Sequence, residues 1–222
     1  MNRIGADIID DILTFPFRGV GKYMLVIGGV LSLILWLGAS VPFLGLVIAV
    51  GASGYFAAYY FDIVNSTASG KNEACDWPDF RDFWSDLVGP WLCMLSALVC
   101  SFAPLLVIGF FLEPPGILKA ALLVIGFAHL PMALLSVAVF RTMRAALWSN
   151  TIPAIKRCLP QYGVLLVIFG LLTIANVLVR KAISSVPVAG WFVSFFLGMY
   201  ALMVSARLIG LFYRDNSRIL EI

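Results

Sequence analysis

His129 and Asn176 are the strongest polar groups lying well inside apolar stretches of this 222-residue chain. A polar group at membrane depth is a functional-site candidate by default. An imidazole can carry a proton or bind a metal, but either role needs partners at suitable spacing. The sequence offers none: His129 is the single histidine, and no HExxH pair, nucleophile–base–acid set or glycine-rich phosphate loop occurs. Cys75, Cys93, Cys100 and Cys158 lack any CxxC or Cys/His spacing and are expected to be free thiols that pack as small side chains. The expectation is therefore a non-enzymatic protein with no catalytic residue, metal or cofactor. His129 itself is expected to be neutral and bonded to a backbone carbonyl loosened by Pro131. A competing expectation is a small permease or channel with a cavity near Pro104, His129, Pro131 and Asn176, the prolines acting as hinges.

The other candidate is the polar stretch at residues 76–87. Asp76 is placed as a helix N-cap, with Pro78 in the first turn, where its missing N–H is harmless. Phe80, Phe83, Trp84 and Leu87 would then share one face, and Asp79, Asp82, Ser85 and Asp86 the other. Such a helix lies along a membrane surface, ended by Gly89-Pro90. Its acidic outer face does not suit anionic lipid, which favours basic residues. Trp77, Phe80, Phe83, Trp84, Asp79, Asp82 and Asp86 are therefore expected to form a protein-docking surface.

The elements that carry these residues follow from composition. The chain is 62% hydrophobic and 12% charged, with a mean hydropathy of +1.00. Soluble domains carry roughly twice that charge fraction. Apolar stretches near membrane-crossing length recur at residues 23–37, 42–64, 91–112, 117–140, 163–179 and 189–213. The fourth is expected to continue helically towards Trp148. The second carries Gly45, Ala49, Ser53 and Ala57 at four-residue spacing, a ridge that lets a neighbouring helix approach closely. Shorter amphipathic helices are expected before each pair: residues 1–22, with Ile4, Ile8, Ile12 and Phe15 on one face and Asp11 intruding on it; residues 76–87; and a segment after Thr151-Ile-Pro153, with Ile152, Ile155 and Leu159 apolar. Phe15-Pro16-Phe17, Gly19 and Gly21 mark the turn out of the first.

The class expected is all-α: a polytopic integral membrane protein with six transmembrane helices as three hairpins, each preceded by a short cytoplasmic interfacial helix. It reads as a single transmembrane domain over residues 1–222, with a weak threefold repeat at 1–64, 76–146 and 151–213. Twelve of the fifteen Lys and Arg residues fall on the side that holds both termini, against Lys119, Arg180 and Lys181 on the other. That bias predicts a prokaryotic cytoplasmic (inner) membrane with cytoplasmic termini. Asp62 and Arg207, near span ends, are expected to reach water or headgroups by snorkelling. The formal charge of +3 is too small to indicate nucleic acid. Expected partners are the lipid bilayer and other membrane subunits or a second copy.

The run from Phe15 to Leu33, Gly54-Tyr55, and Trp77-Pro-Asp-Phe-Arg-Asp-Phe83 together resemble a bacterial and archaeal multi-pass membrane family catalogued as domain of unknown function four thousand and thirteen. The resemblance is concentrated in the first 90 residues. It implies an interfacial helix, paired spans and a cytoplasmic Pro-Asp/aromatic stretch, and it transfers no catalytic residue. The leading functional expectation is a membrane scaffold or accessory subunit acting through helix packing and its cytoplasmic interfacial helices.

Overall fold

The computed structural model describes residues 6–38, 44–76, 81–112, 115–183 and 189–220. Among them every regular element is helical: α1 (Ala6–Thr14), α2 (Gly21–Gly38), α3 (Leu44–Ala68), α4 (Gly89–Leu112), α5 (Gly116–Phe140), α6 (Trp148–Arg157), α7 (Leu159–Ile183) and α8 (Ala189–Leu220), with short 3₁₀ and π turns between. Five helices are long and apolar enough to cross a membrane. A sixth crossing exists if Ile9–Phe17 and Gly21–Ile34, bent by 70°, count as one span. Pro16, which cannot continue an α-helix ladder, and Gly19, at φ +54°, make that bend.

Helices α3, α5 and α8 supply most of the buried side chains, including Tyr59, Ile63, Met132, Leu135, Met203 and Ile209. Helices α2, α4 and α7 leave much of their apolar surface outward, among them Val30, Val107, Leu171 and Leu178. Such broad exposed apolar faces are a liability in water and no cost in hydrocarbon. Close packing is achieved where a side chain is absent. A Cβ on Gly54 of α3 would lie 2.4 Å from the Leu87 carbonyl oxygen, and one on Gly126 of α5 would strike Phe102 and the Ser101 carbonyl of α4.

Several boundaries differ from expectation. Arg81 and Asp82 are not helical, and from Phe83 a π turn (Trp84–Val88) runs straight into α4, so Gly89-Pro90 ends nothing. Pro90 cannot donate to Asp86 and its ring would crowd that carbonyl in an α-helix. The π turn shifts the register, with Gly89 N–H bonded to the Trp84 carbonyl, and the helix continues. Residues 77–80, hence Trp77, Asp79 and Phe80 with the expected Asp76-capped start, lie outside the described residues. α5 stops at Phe140, because Arg141 takes a left-handed conformation (φ 51°), so it does not continue to Trp148. α8 runs on to Leu220 through the polar tail and buries Asn216 and Leu220. In α6 the inward residues are Thr151, Ala154 and Cys158, while Ile152 and Leu159 face outward. Thr151 is therefore an internal residue of α6, whose N-cap is Leu147.

Beside Pro104 and beside Pro131, a side chain from a later element enters the helix ladder. Pro104 cannot donate to the Cys100 carbonyl, and Trp148 Nε1–H donates to it instead at 2.7 Å. Beside Pro131 the ladder opens between Ala128 and Met132. The Tyr162 hydroxyl enters, donating to the Ala128 carbonyl at 2.6 Å and accepting from Met132 N–H at 3.3 Å. Tyr162→Phe removes both bonds from a buried site. The expected loss is about 1–2 kcal/mol in reversible unfolding in detergent; an unchanged unfolding midpoint would show that the ladder closes without the hydroxyl.

Candidate functional site

His129 lies 2% exposed where α4, α5 and α6 meet. Its Nδ1 is 2.9 Å from Ser101 Oγ and its Nε2 is 2.6 Å from Thr151 Oγ1. Trp148 stacks on the ring, centroids 4.0 Å apart and planes 9° from parallel. Thr151 gives its own hydroxyl proton to the Leu147 carbonyl. It therefore accepts from Nε2–H, which leaves Nδ1 to accept from Ser101 and assigns the neutral ε tautomer. The expected backbone-carbonyl partner is thus replaced by two hydroxyls. The carbonyl freed by a proline is real, but it is Cys100's, and Trp148 holds it. A serine beside a histidine suggests nucleophilic chemistry, which also needs an orienting acid and room for a substrate. Neither accompanies this pair: no carboxylate bonds to the imidazole, and none of the three polar residues lines a described cavity.

Arg207 is the larger surprise. It is 1% exposed rather than snorkelling. Its Nε–H and one Nη2–H go to Asp11 Oδ2 at 3.2 and 3.0 Å, and the other Nη2–H goes to Asn72 Oδ1 at 3.2 Å. Nη1 donates to the Lys71 carbonyl at 2.6 Å and to Thr67 Oγ1 at 3.3 Å. All five donors are satisfied, and the guanidinium also sits 4.8 Å over the Phe15 ring. Asp11 bonds Arg18 with its second oxygen. Asp11 therefore intrudes on the apolar face of α1 because a buried cation lies beneath it. That one irregularity was the sequence signal for this cluster. Asp62, also expected to snorkel, pairs with Arg141 at 3.0 Å, and Asn65 Nδ2–H reaches the Ala138 carbonyl at 3.1 Å.

At the start of the π turn, Phe83 and Trp84 are 43% and 69% exposed and meet edge to face at 5.7 Å. Asp82 and Asp86 do not form a free acidic face. Asp82 accepts from Trp84 and Ser85 N–H, while Asp86 accepts from Arg81 and Asp82 N–H and from the Ser85 hydroxyl. This is a reciprocal cap that fixes the first turn. Behind it lies a notch of about 210 Å³ bordered by Asp62, Ser85, Asp86 and Arg141.

The four residues expected around one cavity are not together. Of them Asn176 alone borders a cavity among the described residues, a side cleft of about 470 Å³ along α7 and α8 whose other walls include Tyr60, Met94 and Leu134. On α3, Gly45 and Ala57 are buried and Ala49 and Ser53 half-buried, with the Ser53 hydroxyl bonded to the Ala49 carbonyl of its own helix. All four cysteines are free. Burial, with the Asp62 charge nearby, pushes the Cys75 thiol up to about 11, which makes it unreactive near neutrality. α6 packs on α5, α7 and α8, and Arg157 reaches the Leu220 carbonyl. Among the described ion pairs none joins Lys156 or Arg157 to the acids of α1 or of the π turn.

The fold is an all-helical bundle with five or six helices of membrane-crossing length and apolarity. No family model, curated protein or solved structure matches the chain.

Replacing His129 with Ala is expected to cost about 2–4 kcal/mol by orphaning two buried hydroxyls and opening a cavity under Trp148. Ser101→Ala should cost about 1 kcal/mol, both read by reversible unfolding in detergent. A His129→Ala protein within about 0.5 kcal/mol of the parent would remove the bracing role.

Proposed function

We propose that this chain is a non-enzymatic integral membrane scaffold or accessory subunit, working through helix packing and a docking surface at the cytoplasmic end of α4. The observation that carries the reading is the exposed Phe83–Trp84 pair, held rigid by the Asp82/Asp86 cap. Aromatic side chains that protrude from a fixed turn are the residue type that dominates protein interfaces. The polar notch beside them supplies the rim that such an anchor needs. The buried polar groups at His129 and at Arg207 are each engaged by their own neighbours and brace helices, which suits a protein whose task is to be held and to hold.

The cytoplasmic placement follows the positive-inside bias, and the six-span, three-hairpin layout counts the bent segment of α1 and α2 as the first crossing. The family resemblance assigns no role to any residue. A transport reading has one observation behind it, the cleft bordered by Asn176. That Pro104, His129 and Pro131 do not line that cleft weighs against the competing expectation of a permease or channel cavity shared by all four.

The test is purification at native abundance in mild detergent, followed by identification of co-purifying chains. A defined partner is expected, and Phe83→Ala with Trp84→Ala should weaken its binding by about 2–4 kcal/mol while α4 stays helical. A strictly monomeric particle, or a partner held equally by the double variant, would overturn the docking surface.

A further inference from the structure

The cleft between α7 and α8 runs along residues 169–179 of the first and 197–205 of the second. Ten residues of helix span about 15 Å, half of a hydrocarbon core of about 30 Å. Its volume of about 470 Å³ falls in the range of built small-molecule sites. The facing side chains Thr173, Ala175, Gly198 and Ala201 are small, the kind that usually lets membrane helices close upon each other. Here the two helices pack on each other, yet a cleft opens beside their seam, walled on its other side by Tyr60, Met94 and Leu134. An acyl chain in the cleft gains dispersion contacts along its walls, and the mainly apolar lining offers water few partners.

Charge marks one end. Arg180, near the last turn of α7, donates Nε–H to Asn176 Oδ1 at 3.1 Å. Its Nη2 lies where a Cβ on Gly198 would be, 2.6 Å from that position. Asn176 and Gly198 both border the cleft, so the guanidinium lies beside its end, next to these two lining residues. Ile183, three residues further, closes α7. The cleft thus joins a cation near a helix end to a hydrocarbon-lined slot one leaflet deep.

We propose that this cleft holds one phospholipid with an anionic headgroup, its phosphate at Arg180 and an acyl chain lying between α7 and α8. The proposal rests on the membrane-spanning reading of the chain. A cleft of this volume, mainly apolar along its length with a cation beside one end, matches one acyl chain and an anionic headgroup.

The test uses the full chain, freed of lipid in detergent and titrated with phosphatidylglycerol or phosphatidylcholine of identical acyl chains, with bound mass read by native mass spectrometry. One phosphatidylglycerol should be retained about fivefold more tightly than phosphatidylcholine, the increment of one basic residue. Arg180→Gln should abolish that preference and still bind one lipid. Ala201→Trp, which fills the slot, should lower retention of both lipids at least about tenfold. Should Ala201→Trp lose its helical signal, Arg180→Gln decides alone. Unsaturable lipid adducts, a headgroup preference that survives Arg180→Gln, or a second copy in place of lipid would overturn the proposal. Alkaline carbonate extraction separates the two levels: a chain released without detergent overturns the membrane reading as well, whereas one that stays in the membrane yet retains no lipid overturns only the lipid site.

Discussion

Burying a guanidinium is the constraint on which the arrangement of this protein depends. An unpaired charge moved out of water costs several kcal/mol, and the cost is offset only when every donor finds an acceptor in good geometry. Arg207 reaches that condition by drawing acceptors from α1, from the last turn of α3, and from residues 71 and 72 beyond it. Those segments are therefore fixed relative to α8. α1 cannot lift away without stranding the charge, and Tyr200 adds a second tie from α8 to the Leu13 carbonyl at 2.9 Å. The bend at Pro16 and Gly19 lets α1 return across α8 instead of running straight on into α2.

The opposite half of the bundle solves a related problem without charge. Pro104 and Pro131 each leave a helix short of one backbone bond, and an unpaired carbonyl in hydrocarbon has no water to turn to. Trp148 on α6 takes up the Cys100 carbonyl that Pro104 leaves, and Tyr162 on α7 inserts one residue along from the Pro131 gap, bonding the Ala128 carbonyl and Met132 N–H. Each also packs on a further group: Trp148 on the His129 ring, Tyr162 on Phe212 at 6.0 Å. The prolines thus act as sockets for later elements. This explains how α5, with a proline in its interior, can carry so much of the packing, and it places His129 in a buried brace between α4, α5 and α6.

Much of the architecture was legible because it follows from period and composition. The long apolar stretches, the turn at Phe15–Gly19 and the short α6 were all marked by residue type alone. What escaped was tertiary. Nothing local to Arg207 distinguishes a snorkelling arginine from a buried one; the difference lies in Asp11, 196 residues away, whose misplaced charge was visible but unexplained. His129's partners lie 28 and 22 residues away on other helices and could not be paired by spacing. The stretch at 76–87 misled because Gly-Pro usually ends a helix, whereas a π turn absorbed Pro90. Of the acids expected on that face, Asp82 and Asp86 accept from backbone N–H groups of their own turn. Asn176, expected to share a polar site with His129, bonds instead to Arg180 of its own helix.

The central claim is that Asp11 and Arg207 act as one unit in holding α1 to the bundle. A double-mutant cycle of Asp11→Asn and Arg207→Met, followed by reversible unfolding in detergent, measures that unit directly. The account predicts that Arg207→Met alone costs less than the stranding of an unpaired charge would, and that the two changes are coupled by about 1–3 kcal/mol. Effects that add to within about 0.3 kcal/mol would contradict it, because independent sites add in that way.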